Sequence, residues 1–558
     1  MSARRRGICI ICLFRVICGF PQKISCSFVS IRGSIDNLKN ILDDRKDLRQ
    51  YLFKRGFFLS DRSDIDLQSF PFYGQWKTTA IGCYTAYVHE LQKVSVFEKD
   101  NRFFFLFGHA YNPFTMEIDE TSILSRIADA YQSEDYWDRI NEITGVFVYG
   151  VICGQNVEFI TDPSGMQSSY YGLVDGHFTI TSHVQIVGDL HDDLQMNDLT
   201  KELLQYKYYY RVLGAYLPAD MTKFDAVKRI VPNIDYRYDG KNVTHKRFWP
   251  TKNLSPAVEH DDYEKVIHDA AEILKNNMHL VARKWSKPYI SLSGGIDSNT
   301  TFAAANGIND HFKAFSYISA PKEEIDAAAA EKIARRFNVK WLRFQIPSSN
   351  TDVKDFEEIK AIIDHNNGYI FRHYDNEYRK RIVLMRQLDC DVEVKSWVSE
   401  VIRAYWYKHY GRSTMPSLSP KLFRNLYKIF IFNRRLAHKI DAVFAKYIQD
   451  FEYESIPDGY PPANMHKVEV ALGSWGGMGT SEMKMYSDIT YIYDNRKFFD
   501  LLFRVPLDKR ISDEHHLDMK KILNKDLYDM HIRVVNLKET KVRAFLLNVI
   551  FNLNRLLP

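Results

Sequence analysis

The chain has 558 residues, 45% of them apolar and 26% charged, with a formal net charge of +5. That length exceeds one ordinary core of about 100 to 200 residues, so two principal domains are predicted. The composition excludes a disordered or fibrous chain. Basic residues spread among acidic ones leave no nucleic-acid footprint, so no nucleic-acid partner is expected.

In chain order, Arg4, Arg5 and Arg6 precede an apolar stretch over 7–20. The order imitates a signal peptide, but Arg15 interrupts the run, no small-residue cleavage pattern follows, and the run falls short of the roughly 20 residues that span a bilayer. Residues 1–20 are therefore read as an extension or an over-long start, and the protein as cytoplasmic with no membrane partner. The seven cysteines, four of them at Cys9, Cys12, Cys18 and Cys26, have no repeated short spacing. They make neither a disulfide framework nor a zinc site, which suits a reducing compartment.

Over 21–249, short β-branched and aromatic runs at 25–31, 79–90, 102–107, 145–153, 157–161 and 177–182 predict strands bounded by turns. Within 119–131, Ile123, Leu124, Ile127 and Ala130 fall at helical spacing, so this half is predicted to be an α+β sandwich domain. Residues 250–260 carry two prolines among polar neighbours and read as a linker. From 261 to 558 the pattern changes. A helix over 262–282, a strand over 287–292, a helix from 298, a strand over 312–318, a helix over 323–337 and a strand over 339–345 predict an α/β domain with a doubly wound parallel sheet. Residues 417–451 and 513–557 read as a mostly helical C-terminal region.

Residues 291–300 read SLSGGIDSNT, a strand, a Ser-Gly-Gly turn, Asp-Ser and a helix. Gly294 and Gly295 lack the Cβ that would block close backbone approach, so their N–H groups can point at phosphate oxygens while the helix adds its positive end. Ser293 and Ser298 add hydroxyl donors. Asp297 beside a bare polyphosphate would repel it, so its presence points to Mg²⁺ between carboxylate and phosphate.

The SGGxDS run resembles the pyrophosphate loop of the ATP-pyrophosphatase superfamily, and further landmarks resemble asparagine synthetases and the related β-lactam synthetases in their order. Arg55-Gly56, Gly108 to Asn112 (GHAYN), Gly145-Val146-Phe147, Asp162 to Gly165 (DPSG) and Tyr170-Tyr171 are similar to pieces of the family's glutaminase domain. The stretch 486–507 resembles its closing segment. The resemblance implies a glutamine-amidotransferase-like domain of the N-terminal-nucleophile type over 21–249. It also implies an adenine nucleotide α-hydrolase-like domain over 261–558 that uses ATP and Mg²⁺ to adenylate a small-molecule carboxylate, aspartate by default, before ammonia or an amine displaces AMP. It places Ser291, Leu292, Ser293, Gly294, Gly295, Asp297, Ser298, Phe315 and Ser316 on the nucleotide and Asp297 on the metal. A homodimer is compatible with it.

Departures from the family pattern shape the expectation. No cysteine follows Met1; Cys18-Gly19-Phe20 is similar to the family's start, and Cys26 reads as a core residue. Phe107 stands where an oxyanion-hole asparagine is expected and cannot donate a hydrogen bond, and His109 replaces a glutamate. Glutamine hydrolysis is therefore expected to be lost or severely weakened. The family's acidic loop SGxGADE reads VKSWVSEVIRAY over 394–405. Glu400 survives while the neighbouring aspartate is Ser399, and Lys395 and Arg403 join Glu400 as candidates. Thr480 falls near an expected lysine, and Lys484 is the nearest substitute, so Asp297, Glu400 and Lys484 are the catalytic candidates. Asp326 reads as a helix-surface residue. Internal amidation of a specialised metabolite, and a non-catalytic binding module, are the alternative readings. Another ATP-pyrophosphatase, which would carry a cysteine pair or basic patch near the loop, trails them.

Overall fold

The structure, a computed structural model, describes residues 31–558 except 192, 211–214, 372, 533–540 and 557–558. Cys9, Cys12, Cys18, Cys26, the basic-apolar stretch and the predicted strand over 25–31 lie outside the described residues, save Ile31, which opens the helix Ile31–Asp44.

The first half carries strands β1 (Phe57–Ser60), β2 (Trp76–Ile81), β3 (Tyr84–His89), β4 (Val94–Lys99), β5 (Arg102–Tyr111), β6 (Thr144–Cys153), β7 (Asn156–Thr161), β8 (Tyr170–Val174), β9 (His177–Thr181), β10 (Val227–Arg229), β11 (Ile234–Tyr238) and β12 (Val243–Arg247). They form two antiparallel sheets in the orders β10-β8-β9-β1-β3-β2 and β12-β11-β7-β6-β5-β4. The run predicted over 79–90 divides at Gly82, whose φ of +61° turns β2 into β3. The sheets meet through aromatic pairs. Phe57 of β1 stacks on Phe107 of β5 with centroids 4.5 Å apart, and Phe178 of β9 stacks on Tyr238 of β11 at 4.2 Å. Burying each such ring contributes about 1.5–3 kcal/mol. The helix Glu120–Ala130 buries Ile123, Leu124 and Ile127, the face its spacing predicts, and Asp119 caps it by accepting the Ser122 N–H.

The second half holds a parallel sheet of β13 (Pro288–Ser291), β14 (Lys313–Ile318), β15 (Trp341–Gln345), β16 (Val392–Val394) and β17 (Asp488–Thr490), in the order β15-β14-β13-β16-β17. From β13 the chain builds outward to β14 and β15, then returns to the other side of β13 for β16 and β17. The reversal leaves a crevice outside the carboxyl ends of β13 and β16, where open α/β sheets bind ligands. The loops after these two strands are its lips.

The halves are joined tightly. His109 Nδ1 in β5 lies 3.0 Å from Asp488 Oδ2 in β17, and the Tyr111 hydroxyl lies 2.9 Å from that of Thr490. A side chain at Gly477 would stand 2.6 Å from the Gly165 carbonyl oxygen, so this glycine permits the backbones to touch. Lys467–Gly476 is a run of π-helix, a rare form that is frequent at functional sites. From it Glu469, fully buried, accepts from Arg247 Nη1 at 2.7 Å and Nη2 at 3.0 Å, from the Tyr453 hydroxyl at 2.5 Å and from Asn233 Nδ2 at 3.1 Å. Among the described residues no helix is long and apolar enough to cross a membrane.

Candidate active site

The loop between β13 and the helix Ile296–Ala303 closes on itself. The hydroxyls of Ser293 and Ser298 lie 2.9 Å apart, the Ser293 N–H donates to Ser298 Oγ at 3.1 Å, and the Gly295 N–H donates to Ser293 Oγ at 3.1 Å. Behind it the buried Asn299 donates to the Gly294 carbonyl at 3.2 Å. In front, Asp326 accepts the Gly294 N–H at 3.2 Å. Asp326 therefore belongs to the loop and is more than a helix-surface residue. Hydroxyls and backbone amides are gathered here at a helix start, an arrangement suited to anions once an entering anion displaces their internal partners.

The remaining nucleotide candidates divide. Ser316 Oγ donates to the Leu292 carbonyl at 2.7 Å and accepts from Trp341 Nε1 at 3.1 Å, so it braces the strand that precedes the loop. Ser291 Oγ reaches the Val394 carbonyl at 3.5 Å. Leu292 and Phe315 could meet a nucleotide only through their backbone. Their side chains are core, 2% and 0% exposed: Phe315 lies in β14, a parallel strand covered on both faces, and packs against Tyr289 and Phe344, while Leu292 follows the end of β13.

Asp297 is the centre of the charge arrangement. Its Oδ1 accepts from Ser399 Oγ at 2.5 Å and lies 3.6 Å from His516 Nε2; its Oδ2 accepts from Arg403 Nη1 at 2.5 Å. Arg403 is itself held by Asp513, through Nε at 2.7 Å and Nη2 at 2.8 Å, and Lys408 also pairs with Asp513. Burial would raise the Asp513 carboxyl, but Arg403 and Lys408 outweigh it and hold the group well below the usual carboxylate range. Burial, followed by the charge of Arg403, pushes His516 far below its ordinary value, so its ring is neutral.

The expected metal role of Asp297 does not fit these surroundings. Mg²⁺ takes one or two carboxylates together with phosphate oxygens. Neither oxygen of Asp297 is left without a donor, a guanidinium stands against it, and the neighbouring position is a serine.

Glu400 follows Ser399 at the lip of the crevice, but its charge is met by Lys467 at 2.7 Å, and that ammonium also lies 3.7 Å from the Tyr405 ring centroid. Lys395 pairs with Glu393 at 2.7 Å. Lys484 is corrected. Its ammonium donates to Gln167 in the first half, and its charged neighbours are Asp488, Arg55 and Asp162, so it is a joint between the halves and no partner of the loop. Burial pushes that ammonium below its ordinary value. Thr480 is core, bonded to the Gly476 carbonyl and the Tyr491 hydroxyl at 2.8 Å each.

In the first half, Phe107 is fully buried in the inter-sheet stack and offers no donor to a pocket. His109 is engaged by Asp488 and packs edge-on against Trp285 at 4.9 Å. Arg55 Nη1 donates to the Leu91 carbonyl at 3.1 Å. Asn112 accepts the N–H groups of Phe114 and Thr115, a local turn. Asp162 is buried and accepts from the backbone of Met166 at 2.7 Å and Gln167 at 2.6 Å, holding the DPSG turn.

No curated protein matches the chain in sequence. Among similar solved structures, glutamine phosphoribosylpyrophosphate amidotransferase from B. subtilis, complexed with ADP and GMP, is 11% identical over 55% of this chain and 62% of its own, with a TM-score of 0.22. A structure described as the allosteric regulatory enzyme of purine biosynthesis is 9% identical over 59% and 90%, with a TM-score of 0.22. Glutamine-dependent NAD⁺ synthetase from Acinetobacter baumannii, in complex with ADP, is 11% identical over 46% and 61%, with a TM-score of 0.20. The chain thus spans less than two thirds of the first and third, and likenesses this slight say nothing of what it binds. The family match is more local and falls on the loop just described: residues 281–373 match the model of asparagine synthase.

Proposed function

We propose that the chain is an ATP-dependent carbon–nitrogen ligase that adenylates a small carboxylic acid, aspartate by default, and passes the acyl group to ammonia or an amine. The observation that carries this reading is the closed loop over 293–298, set at the switch point of a parallel sheet and lying within the asparagine synthase segment. A carboxylate oxygen of the acid attacks the α-phosphorus, the bond between the α-phosphorus and the β-bridging oxygen breaks, and pyrophosphate leaves with the electron pair toward the amides of Gly294 and Gly295 and the hydroxyls of Ser293 and Ser298. The nitrogen lone pair then attacks the acyl carbon, the bond to AMP breaks, and the amine proton passes to solvent. The protein's share is positioning and charge compensation.

In the same reading the residues over 21–249 form a degenerate glutamine-amidotransferase-like sandwich of the N-terminal-nucleophile type. Residues over 261–558 form the adenine nucleotide α-hydrolase-like domain, and 250–260 is the linker of a cytoplasmic enzyme. With Phe107 spent in the core and His109 on Asp488, glutamine is not a nitrogen source. Glutamine in place of ammonium is expected to support turnover at least about 100-fold more slowly, the scale of losing one oxyanion-hole donor; glutamate release, followed by chromatography, checks it.

The test of the reading is exchange of radiolabelled pyrophosphate into ATP by the purified chain, with aspartate and then a panel of small carboxylic acids. Acid-dependent exchange is expected. Exchange with no acid in the panel, alongside ATP cleavage to ADP, would contradict it.

A further inference from the structure

The carboxylate at the heart of the loop already has a cation, and that cation is built into the chain. Arg403 lies at the end of the lip after β16, where Ala404 takes a left-handed φ of +51° and turns the chain into the helix Tyr405–Tyr410. Its guanidinium crosses the crevice to Asp297 Oδ2 at 2.5 Å while Asp513 holds the opposite edge at 2.7 and 2.8 Å. The side chain is 13% exposed and Asp297 is 26% exposed, so the pair sits at the crevice wall rather than in open solvent. Nε, Nη1 and Nη2 each donate one N–H in these bonds, which leaves two of the five guanidinium N–H groups, one on each terminal nitrogen. The charges of Arg403 and Lys408 balance those of Asp297 and Asp513. A polyphosphate entering the loop would meet a neutral constellation whose cation nearest Asp297 is Arg403, with Ser399 in place of a second carboxylate.

We propose that Arg403 takes the place of the divalent cation at this loop, so that the chain binds the polyphosphate of its nucleotide without a metal. The proposal rests on the nucleotide reading of the loop given above. A guanidinium is suited to this role because it stays charged at any working pH, its planar fork matches phosphate oxygens, and its hold on Asp513 fixes its direction before the ligand arrives. It also explains Asp297 without Mg²⁺, since the aspartate holds Nη1 of Arg403 at the loop.

The experiment is isothermal titration calorimetry of ATP, and separately of inorganic pyrophosphate, into the full chain in EDTA and in excess Mg²⁺, for the wild type, Arg403→Ala and Arg403→Lys. Wild-type affinity for ATP is expected to change by less than about threefold between the two buffers. Arg403→Ala is expected to lose about 10- to 100-fold in EDTA, the scale of a charge-assisted hydrogen bond, and to recover part of it in Mg²⁺ once Asp297 is unpaired. Arg403→Lys, which keeps the charge and loses the fork, should fall between them and guards against a folding defect in the alanine variant. Wild-type binding that needs Mg²⁺ by tenfold or more, or an Arg403→Ala chain that binds as the wild type does in EDTA, would overturn this proposal while leaving the loop a nucleotide site. A wild type that binds neither ligand in either buffer would remove the nucleotide reading and this proposal together.

Discussion

Glu469→Ala is expected to destabilise the protein by about 3–5 kcal/mol, the cost of leaving a buried charge without its partner. Glu469 is fully buried and answers both terminal nitrogens of Arg247. Arg247 is also buried, and its other partners are the carbonyls of Phe451 and Trp249, which accept hydrogen bonds but carry no compensating charge. The same carboxylate takes the Tyr453 hydroxyl and Asn233 Nδ2, and Asn233 in turn accepts from Arg496. One truncation therefore leaves four donor groups on three residues without this acceptor and opens the seam where β11 and β12 meet the π-helix. The apolar double variant Arg247→Met with Glu469→Leu is expected to recover most of the loss, because removing both charges removes the desolvation cost as well. Urea denaturation followed by circular dichroism checks both; a single variant as stable as the wild type would mean that water reaches the pair.

Asp297→Ala is expected to lower acid-dependent pyrophosphate exchange by about 100- to 1,000-fold, the range found when a preorganised electrostatic group is lost from a site. Among the described residues, Asp297 ties the loop after β13 to the lip after β16 through Ser399 and Arg403. Without it Arg403 keeps Asp513 but loses the second anchor, which holds Nη1 at the loop. Asp297→Asn keeps an acceptor for Ser399 and removes the charge that orders the guanidinium, so its rate should lie between those of alanine and the wild type. Thermal unfolding should move less in either variant than in Glu469→Ala, since Arg403 keeps Asp513 as a charged partner when Asp297 is replaced. Equal rates in Asp297→Ala and the wild type would show that the pair is structural only.

How legible these features are in the sequence follows from how local they are. The glycine-serine loop is contiguous, so its strand, turn and helix can be read directly. The helix over Glu120–Ala130 carries its own cap and apolar face. Arg403 could be noticed as a charged residue inside an apolar and aromatic run, but its partners Asp297 and Asp513 stand far away in the chain, and only the sheet order brings them together. Lys484 misleads for the same reason. Proximity in sequence to the expected lysine put it on the loop, while the helix Gly477–Met483 delivers it to Gln167. Glu469 sits in a run of apolar residues that gives no sign of a buried ion pair, because the run is π-helical and its partner Arg247 belongs to the other half.

The central claim, that the loop serves an adenylating ligase, is tested most directly by labelling the carboxylate oxygens of the acid with heavy oxygen and following the label during turnover with ATP and ammonium. An acyl adenylate predicts one labelled oxygen in AMP and pyrophosphate free of label. Label in inorganic phosphate with ADP as the product, or AMP formed without label, would contradict it.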